Sequence, residues 1–259
     1  MELKGLRAKK GFICDMDGVL YHGDRLLPGV NRFIEWLRTN KKKFLFLTNS
    51  SERSPRELRE KLDRLGIQAD ASHFYTSALA TASFLASQRP NGSAYVIGEA
   101  GLINALYDAG FSTNEVNPNY VVVGETHSYS YEKIEKAINL VRAGARLIGT
   151  NPDLTDSMGK DVVPGTGSLI APIELATGKK AYFLGKPNPL MMRHARKMLG
   201  CSREETAIVG DRMETDIIAG IHSEIDTVLV LSGVTSREDL KKYPYQPLYI
   251  LSGVGDISE

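Results

Sequence analysis

Short apolar runs alternate with amphipathic stretches along most of this chain. The apolar runs have the length and composition of strands that are buried on both faces of a sheet. They are Gly11–Asp15, Lys43–Thr48, Ala94–Ile97, Tyr120–Gly124, Arg146–Gly149, Ala181–Leu184, Thr206–Gly210, Thr227–Leu231 and Leu248–Leu251. This alternation predicts an α/β fold, in which a mostly parallel sheet is covered by helices on both faces.

The amphipathic stretches carry recognisable helix signals. Val30–Arg38 places its apolar residues on one face of a helix. Ser54 and Glu57 have the spacing of a capping box, with a proline at the first helical position, and Gly66 is expected to end that helix. The pair Ser202 and Glu205 has the same spacing and predicts a further helix start.

Residues 79–182 form a strand–helix series of their own, and their number, about 100, is that of an ordinary domain. The segments with the most distinctive polar residues lie outside this stretch. We therefore predict a second domain, residues 79–182, inserted into a core that is formed by residues 1–78 and 183–259.

The composition excludes several classes of protein. Of the 259 residues, 42% are hydrophobic and 24% charged, and the net charge of +1 favours neither nucleic acid nor an anionic membrane. No apolar stretch is long enough to cross a bilayer. Cys14 and Cys201 form no C-x-x-C pair, and the five histidines lack the spacing of a zinc site. We expect a cytoplasmic protein with reduced thiols.

Two carboxylates follow the first apolar run at a spacing of two residues. Because side chains alternate along a strand, Asp15 and Asp17 are expected to point the same way near its carboxyl end. Open α/β sheets bind their ligands at this end of the strands. Considered alone, the pair is also consistent with a turn or a helix N-cap.

Three further segments place polar side chains directly after apolar runs. Thr48 is followed by Asn49 and two serines, whose hydroxyl, amide and backbone N–H groups suit anionic oxygens. Lys186 lies in a turn of glycine and prolines, and Asp211 and Asp216 follow another run. Each segment alone has an ordinary alternative, namely a polar loop, a solvated lysine or a helix cap.

Together, the four segments are predicted to meet at one edge of the sheet. Three converging carboxylates would repel each other by about 4 kcal/mol per pair at about 4 Å and an effective dielectric constant of about 20. Magnesium relieves such repulsion and prefers carboxylate oxygens, water and substrate phosphate as ligands. Lys186 and Thr48 add positive charge and hydrogen bonds, so the pocket suits a phosphoryl group.

The four segments resemble the motifs of a known family. They read Asp-Met-Asp-Gly-Val-Leu-Tyr from Asp15, Leu-Thr-Asn-Ser-Ser around Thr48, Gly-Lys-Pro-Asn-Pro around Lys186, and Gly-Asp-x-x-x-Thr-Asp ending at Asp216. In this order they are similar to the haloacid dehalogenase (HAD) superfamily, and most to the class IIA phosphatases, which include nitrophenyl phosphatases and nucleotidases. The resemblance implies a Rossmann-like parallel sheet core, the HAD fold, with an inserted α/β cap domain. Arg212 stands where the family often has asparagine, which leaves its role open.

The resemblance also implies roles for the motif acids. Asp15 would be the nucleophile that forms an aspartyl-phosphate, and Asp17 the general acid and base. Mg²⁺ would be bound by Asp15, by the backbone carbonyl of Asp17 and by Asp211. Asp216 is expected to orient the metal ligands, through water or through Lys186.

Other residues are expected to bind the substrate. Thr48, the Asn49 backbone and Lys186 would hold the oxygens of the transferring phosphoryl group. The cap would close over the pocket and select the leaving group, with Asn151 and Asp153 as candidates for that contact. The alternative for these two residues is ordinary hydrogen bonding within a turn.

A large cap favours small phosphorylated metabolites, such as sugar phosphates or nucleotides, over phosphoproteins. The sequence does not determine the oligomeric state, and a homodimer through the cap stays open.

The nearest alternative to a phosphatase is a phosphomutase or phosphotransferase, which would return the phosphoryl group to an acceptor other than water. A receiver-like regulatory module would be about half this length. A dinucleotide-binding protein would need a glycine or alanine where Ile170 follows Gly165 and Gly167.

Overall fold

A computed structural model describes residues 3–158 and 161–258. The chain folds into two compact units, the first formed by residues 1–48, 58–75 and 186–259 and the second by residues 49–57 and 76–185. The larger segment of the second unit runs from residue 76 to 185, where the sequence predicted an inserted domain from 79 to 182. It also includes residues 49–57, which the prediction assigned to the core, because these residues hydrogen-bond to others of the second unit.

The helices and strands follow one another in the predicted alternation. In chain order they are α1 (Lys4–Ala8), β1 (Gly11–Cys14), β2 (Tyr21–His22), β3 (Arg25–Leu26), α2 (Val30–Thr39), β4 (Lys43–Thr48), α3 (Pro55–Arg64), β5 (Phe74–Thr76), α4 (Ser77–Gln88), β6 (Ser93–Ile97), α5 (Ala100–Asp108), β7 (Ser112–Thr113), β8 (Tyr120–Val123), α6 (Tyr131–Arg142), β9 (Arg146–Gly149), β10 (Thr155–Met158), β11 (Asp161–Pro164), α7 (Thr166–Thr177), β12 (Tyr182–Phe183), α8 (Pro189–Leu199), β13 (Thr206–Gly210), α9 (Ile218–His222), β14 (Asp226–Val230) and β15 (Tyr249–Leu251). Within residues 3–158 and 161–258, none of the helices has the length and apolarity that crossing a bilayer requires.

The first unit is built on a six-stranded sheet in the order β15-β14-β13-β1-β4-β5. β1 pairs in parallel with β13 on one side and β4 on the other, and β14 pairs in parallel with β13 and β15. This is the parallel α/β sheet that the apolar runs predicted. Neighbours in the sheet are distant in sequence, so residues from separate motifs come together at one edge.

The core of the first unit forms around the central strands β1 and β13, which are buried along their whole length. Phe12 and Phe46, from β1 and β4, pack with Phe33 and Leu37 of α2. The rings of Phe12 and Phe33 meet edge-on with their centroids 6.2 Å apart. Helix α8 packs against β1 and β4. Dense packing around these strands gives their carboxyl ends a rigid support.

The second unit has a sheet and a core of its own. Its five strands follow the order β12-β9-β8-β6-β7, and all the neighbouring pairs are parallel. The central strand β8 is completely buried. Val121 and Val123 from this strand pack with Leu147 of β9, Leu140 of α6 and Ile170 of α7. Strands β10 and β11 form a separate antiparallel hairpin.

The predicted helix signals have different outcomes. At the start of α3, Glu57 Oε2 accepts the Ser54 N–H at 2.7 Å and Ser54 Oγ accepts the Glu57 N–H at 3.4 Å, which confirms the capping box. Gly66 follows the helix with φ of +84°. The prediction of a helix after Ser202 was wrong. Glu205 Oε2 does accept the Ser202 N–H at 3.0 Å, but the bond closes a turn, and strand β13 follows directly.

Several strands were absent from the prediction. They are β2, β3, β5, β7, β10 and β11, each only two to four residues long. Segments of this length show no periodicity, and pairing with a neighbour decides their conformation. Of the predicted motifs, only the first reaches one of these strands, with its last residue, Tyr21, in β2.

Replacing Leu37 by Ala is expected to lower the free energy of unfolding of the first unit by about 2–5 kcal/mol, because its fully buried side chain leaves a cavity. Urea denaturation followed by tryptophan fluorescence measures this change, since Trp36, the single tryptophan, lies on the same helix. The control is Met198→Ala on α8, whose residue is 50% exposed. It should change the free energy by no more than about 0.5 kcal/mol. Equal midpoints for the two variants would contradict the core described above.

Candidate active site

The register of the first sheet brings three motif segments to the same edge. The last residue of β1 pairs with Phe46 of β4 and with Val209 of β13. Asp15 follows this row by one residue, while Thr48 and Asp211 follow it by two. Because these parallel strands are in register, their carboxyl ends lie side by side, and the motif residues that follow them meet at one edge of the sheet, as predicted.

Lys186 is buried between two carboxylates of the first unit. Its Nζ donates to Asp15 Oδ1 at 2.5 Å and to Asp216 Oδ1 at 2.7 Å. The side chains of Lys186 and Asp216 are 3% and 0% exposed, and that of Asp15 is 13% exposed. Ion pairs at such distances, away from water, are strong and geometrically restrictive. The lysine that the sequence left open as a surface residue is thus part of a buried charge cluster.

Asp211 completes this cluster. Its Oδ2 accepts the Val234 N–H at 2.7 Å. Its Oδ1 is buried and has no hydrogen-bond partner in the described part of the chain. Oxygens of Asp15, Asp211 and Asp216 lie within 4.8 Å of one another. A buried carboxylate oxygen without a donor is costly, so an unpaired Asp211 Oδ1 indicates a missing positive partner.

Asp216 is held by the turn in which it lies. Residues Met213–Ile217 form a π-helical turn after β13. Asp216 Oδ2 accepts the N–H of Arg212 at 3.1 Å, while its Oδ1 faces Lys186. The sequence predicted Asp216 as a residue that acts through Lys186 or through water, and the structure gives the contact with Lys186.

Glycines leave the space that Asp211 and Asp216 occupy. A Cβ added at Gly18, where φ is +75°, would lie 2.4 Å from Asp211 Oδ2, and one at Gly233 would lie 2.0 Å from the same oxygen. A Cβ added at Gly210 would lie 2.1 Å from Asp216 Cβ. These distances are shorter than any van der Waals contact, so larger residues would displace the acids.

Burial and repulsion by neighbouring carboxylates raise the pKa values of Asp15 and Asp211. Burial raises the pKa of Asp15 well above its usual value, Lys186 opposes the rise, and Asp216 and Asp211 add to it. Burial and the charge of Asp216 raise the pKa of Asp211 to about 6. For Lys186, burial alone would lower the pKa, but Asp15 and Asp216 outweigh it and raise the pKa above its usual value. The lysine therefore stays charged at neutral pH.

The cluster fits a divalent cation. Three carboxylates and one ammonium give a net charge of −2 when all are ionised. Oxygens within 4.8 Å of one another repel by at least roughly 3 kcal/mol per pair at an effective dielectric constant of about 20. A hard cation such as Mg²⁺ would neutralise this charge and would give the unpaired oxygen of Asp211 a partner.

Asp17 lies at the same strand end but has different surroundings. Its side chain is 46% exposed, and its Oδ1 is 3.4 Å from His22 Nδ1. His22 Nε2 contacts the carbonyl of Ser232 at 2.8 Å, so that nitrogen carries a proton. The structure does not group the Asp17 carboxylate with Asp15, Asp211 and Asp216, and the prediction assigned only its backbone carbonyl to the metal.

The remaining predicted residues divide between the two units. Thr48 is the last residue of β4 in the first unit, whereas Asn49 belongs to the second. Within the second unit, Asn49 Nδ2 donates to Asp153 Oδ2 at 2.9 Å. Asn151 Oδ1 accepts the Asp153 N–H at 3.1 Å, which is the turn bond considered as the ordinary alternative. The structure therefore brings Asn49, Asn151 and Asp153 together.

Sequence reasoning missed one residue of this group. Glu125 follows β8, is 9% exposed, and accepts hydrogen bonds from Ser51 and Asn151. No motif marks it, since a single glutamate after an apolar run has many ordinary explanations. Only the three-dimensional structure shows that Glu125 contacts Ser51, in the segment that follows Thr48.

Family models match both parts of the chain. A model described as haloacid dehalogenase-like hydrolase matches residues 12–112, and a second, described as HAD-hydrolase-like, matches residues 183–257. The first match contains the motifs at Asp15 and Thr48, and the second those at Lys186 and Asp211.

Individual proteins match over nearly the whole chain. The dihydroxyacetone phosphatase of Corynebacterium glutamicum is 43% identical over 96% of this chain and 90% of its own. The ribonucleotide monophosphatase NagD of Escherichia coli is 42% identical over 96% of this chain and 98% of its own. The crystal structure of a 4-nitrophenylphosphatase from Thermotoga maritima superimposes with a TM-score of 0.94, at 34% identity and 98% coverage of both chains. The chain therefore belongs to the haloacid dehalogenase-like hydrolases and, within them, to the class IIA phosphatases that its motifs resemble.

Proposed function

We propose that this protein is a magnesium-dependent phosphatase that hydrolyses small phosphomonoesters through an aspartyl-phosphate on Asp15. One observation carries the proposal: a buried lysine bridges Asp15 and Asp216 beside the unpaired oxygen of Asp211. Few reactions need a fixed positive charge, a carboxylate nucleophile and a cation site at one strand end. Phosphoryl transfer is one of them, and the matching relatives are named as phosphatases.

Asp15, Asp211 and the backbone carbonyl of Asp17 are the residues proposed to hold Mg²⁺. When bound, the cation neutralises charge on the phosphoryl oxygens. Asp216 remains paired with Lys186 in this arrangement, which keeps the lysine oriented.

The first step forms a bond between an oxygen of Asp15 and the phosphorus, and it breaks the bond from the phosphorus to the leaving oxygen. Lys186 binds Asp15 Oδ1, which leaves Oδ2 as the attacking atom. Asp17 donates a proton to the leaving alkoxide. In the second step Asp17 takes a proton from water, the water oxygen attacks the phosphorus, and the Asp15–phosphorus bond breaks to release phosphate.

Lys186, the Thr48 hydroxyl and the Asn49 N–H are proposed to bind the oxygens of the transferring group. The pKa of Lys186 is raised by its two carboxylate partners, so its charge is present throughout the neutral range. A fixed cation and fixed donors stabilise the charge that is spread over the phosphoryl oxygens in the transition state.

Small phosphorylated metabolites are the proposed substrates. The names of the relatives mention dihydroxyacetone, ribonucleotide, sugar and nitrophenyl phosphatases. These substrates share a phosphomonoester and differ in the leaving group. We further propose that Asp153 contributes to selecting the leaving group, whereas Asn151, the other predicted candidate, is buried and donates to Asn49 and Glu125 instead.

We also propose that the protein acts in the cytoplasm, for which the free thiols of Cys14 and Cys201 are suited.

Asp15→Asn is expected to abolish the turnover of p-nitrophenyl phosphate in the presence of Mg²⁺, because an amide cannot act as the nucleophile. Release of nitrophenolate measures the effect, and a decrease of at least about 10³-fold is expected. Asp24→Asn, the same chemical change at an exposed residue of the β2–β3 turn, should leave activity unchanged. Activity that survives in the Asp15 variant would refute the proposed nucleophile.

Mg²⁺ is expected to raise the melting temperature of the wild-type protein, because it relieves the repulsion among the buried acids. Asp211→Asn should lose this rise, since it removes a charged ligand. Its amide oxygen still accepts the Val234 N–H, so the metal-free variant should be at least as stable as the metal-free wild type. Thermal unfolding with Mg²⁺ and with EDTA tests both statements, and an undiminished Mg²⁺ effect in the variant would contradict the assigned site.

A phosphatase should release free phosphate from several phosphomonoesters with no acceptor other than water. The panel is dihydroxyacetone phosphate, ribonucleoside monophosphates, sugar phosphates and p-nitrophenyl phosphate. Phosphate release that equals the loss of substrate is expected for each compound turned over. Substrate loss without equivalent phosphate, together with a new phosphorylated product, would instead identify a phosphomutase or phosphotransferase.

A further inference from the structure

Glu125 is a buried carboxylate that the proposed chemistry does not use. Its Oε2 accepts the Ser51 N–H at 2.6 Å and the Ser51 hydroxyl at 2.8 Å. Its Oε1 accepts the Asn151 amide N–H at 2.8 Å. In the described part of the chain these partners are neutral donors, and no lysine or arginine pairs with the carboxylate. The network lies wholly within the second unit.

A carboxylate in this position is costly for folding. Burial raises the pKa of Glu125 to about 7, and the bonds from Ser51 and Asn151 only partly oppose that rise. An apolar side chain would avoid the cost of desolvation. The carboxylate instead connects two separate chain segments, because its two oxygens accept three hydrogen bonds from them in fixed directions.

The first of these segments directly follows Thr48. Glu125 fixes the peptide group between residues 50 and 51 through the Ser51 N–H. The carbonyl of Asn49 accepts the Asn151 amide N–H at 2.8 Å and the Ser77 hydroxyl at 2.5 Å, which fixes the preceding peptide group. Since each peptide is planar, the freedom of the Asn49 N–H is then limited to rotations at Asn49 itself.

The same network holds the segment that leads to Lys186. The Gly185 N–H donates to the Thr150 carbonyl at 2.7 Å, and the Thr150 hydroxyl donates to Ser51 Oγ at 3.3 Å. A Cβ at Gly185 would lie 2.7 Å from Asn49 Oδ1, so the two segments approach too closely for a larger residue. The residues that follow Thr48 and the residue that precedes Lys186 are therefore bound to one another inside the second unit.

We propose that Glu125 is a positioning residue, which holds the Asn49–Ser51 segment in the conformation that binds the transferring phosphoryl group. The inference rests on the proposed phosphatase function. Glu125 lies outside the four motifs, in the second unit. Its loss should weaken binding of the phosphoryl group, which all substrates share, and not binding of the leaving group.

The test compares Glu125→Gln with the wild type. A glutamine oxygen still accepts from Ser51, but its amide N–H₂ faces the Asn151 amide, also a donor, so the contact with Asn151 is lost. Glu99→Gln is the matched control. Glu99 belongs to the same unit and accepts from the Thr126 hydroxyl at 2.6 Å and the His127 N–H at 3.2 Å, and neither partner belongs to residues 49–51.

Three measurements apply to each variant: kcat and KM for two phosphomonoesters with different leaving groups, the inhibition constant of inorganic phosphate, and backbone hydrogen exchange of residues 49–51. Glu125→Gln is expected to lower kcat/KM by about 10- to 100-fold, by the same factor for both substrates, as for other displaced binding groups. The inhibition constant of phosphate should rise, and residues 49–51 should exchange faster. Glu99→Gln should behave like the wild type in all three measurements.

A double variant separates positioning from general destabilisation. Ser51→Ala removes one donor to Glu125, so Ser51→Ala with Glu125→Gln should be little worse than the poorer single variant. Fully additive losses, or losses that match the fraction of unfolded protein, would overturn the proposal. Faster exchange at residues 49–51 with unchanged kinetics would overturn the positioning role alone. A wild-type enzyme that releases no phosphate would instead overturn the proposed function.

Discussion

The arrangement of the acidic residues in the first unit depends on the buried ammonium group of Lys186. Lys186 neutralises part of the charge of Asp15 and Asp216, which without it would lie as bare carboxylates in a desolvated sheet edge. Its two contacts hold the acids from separate chain segments at fixed distances. The neutralisation is incomplete, because Asp211 adds a third carboxylate with an unpaired oxygen. The site thus keeps a deficit of positive charge, which makes it receptive to a divalent cation.

The backbone accommodates this concentration of charge in specific ways. Glycines at positions 18, 210 and 233 let the chain pass within contact distance of the acids. A π-helical turn shortly after β13 brings the carboxylates of Asp211 and Asp216 close together, although four residues lie between them in the chain. π-Helical turns are uncommon and are frequent at functional sites. The dense core beneath β1 and β13 supports the whole arrangement.

The two units stabilise buried carboxylates by different means. In the first unit the partner is a lysine, so the acids take part in a network of charges. In the second unit Glu125 has neutral donors, which only partly oppose the rise in its pKa that burial causes. Neutral donors supply direction without charge, which suits a residue that orients the backbone. A charged partner suits residues that meet a phosphoryl group and a metal ion. This difference in partners matches the two roles that we propose, catalysis and metal binding for the acids of the first unit and positioning of the backbone for Glu125.

The sequence by itself determined the α/β class, most of the long strands, the capping box at Ser54 and the four motifs, because periodicity, capping and strand-end chemistry are local properties of the chain. It did not predict the short strands, because segments of two to four residues show no periodicity. It misassigned the turn at Ser202, because the hydrogen bond between Ser202 and Glu205 that would cap a helix closes a turn there instead. It placed Asp216 near Lys186 only through the family resemblance. The tertiary structure alone decided that the lysine is buried between two acids and that Glu125 contacts Ser51, 74 residues away along the chain. Burial and partnership across such distances are set by the packing of the sheets, and no local pattern in the chain records them.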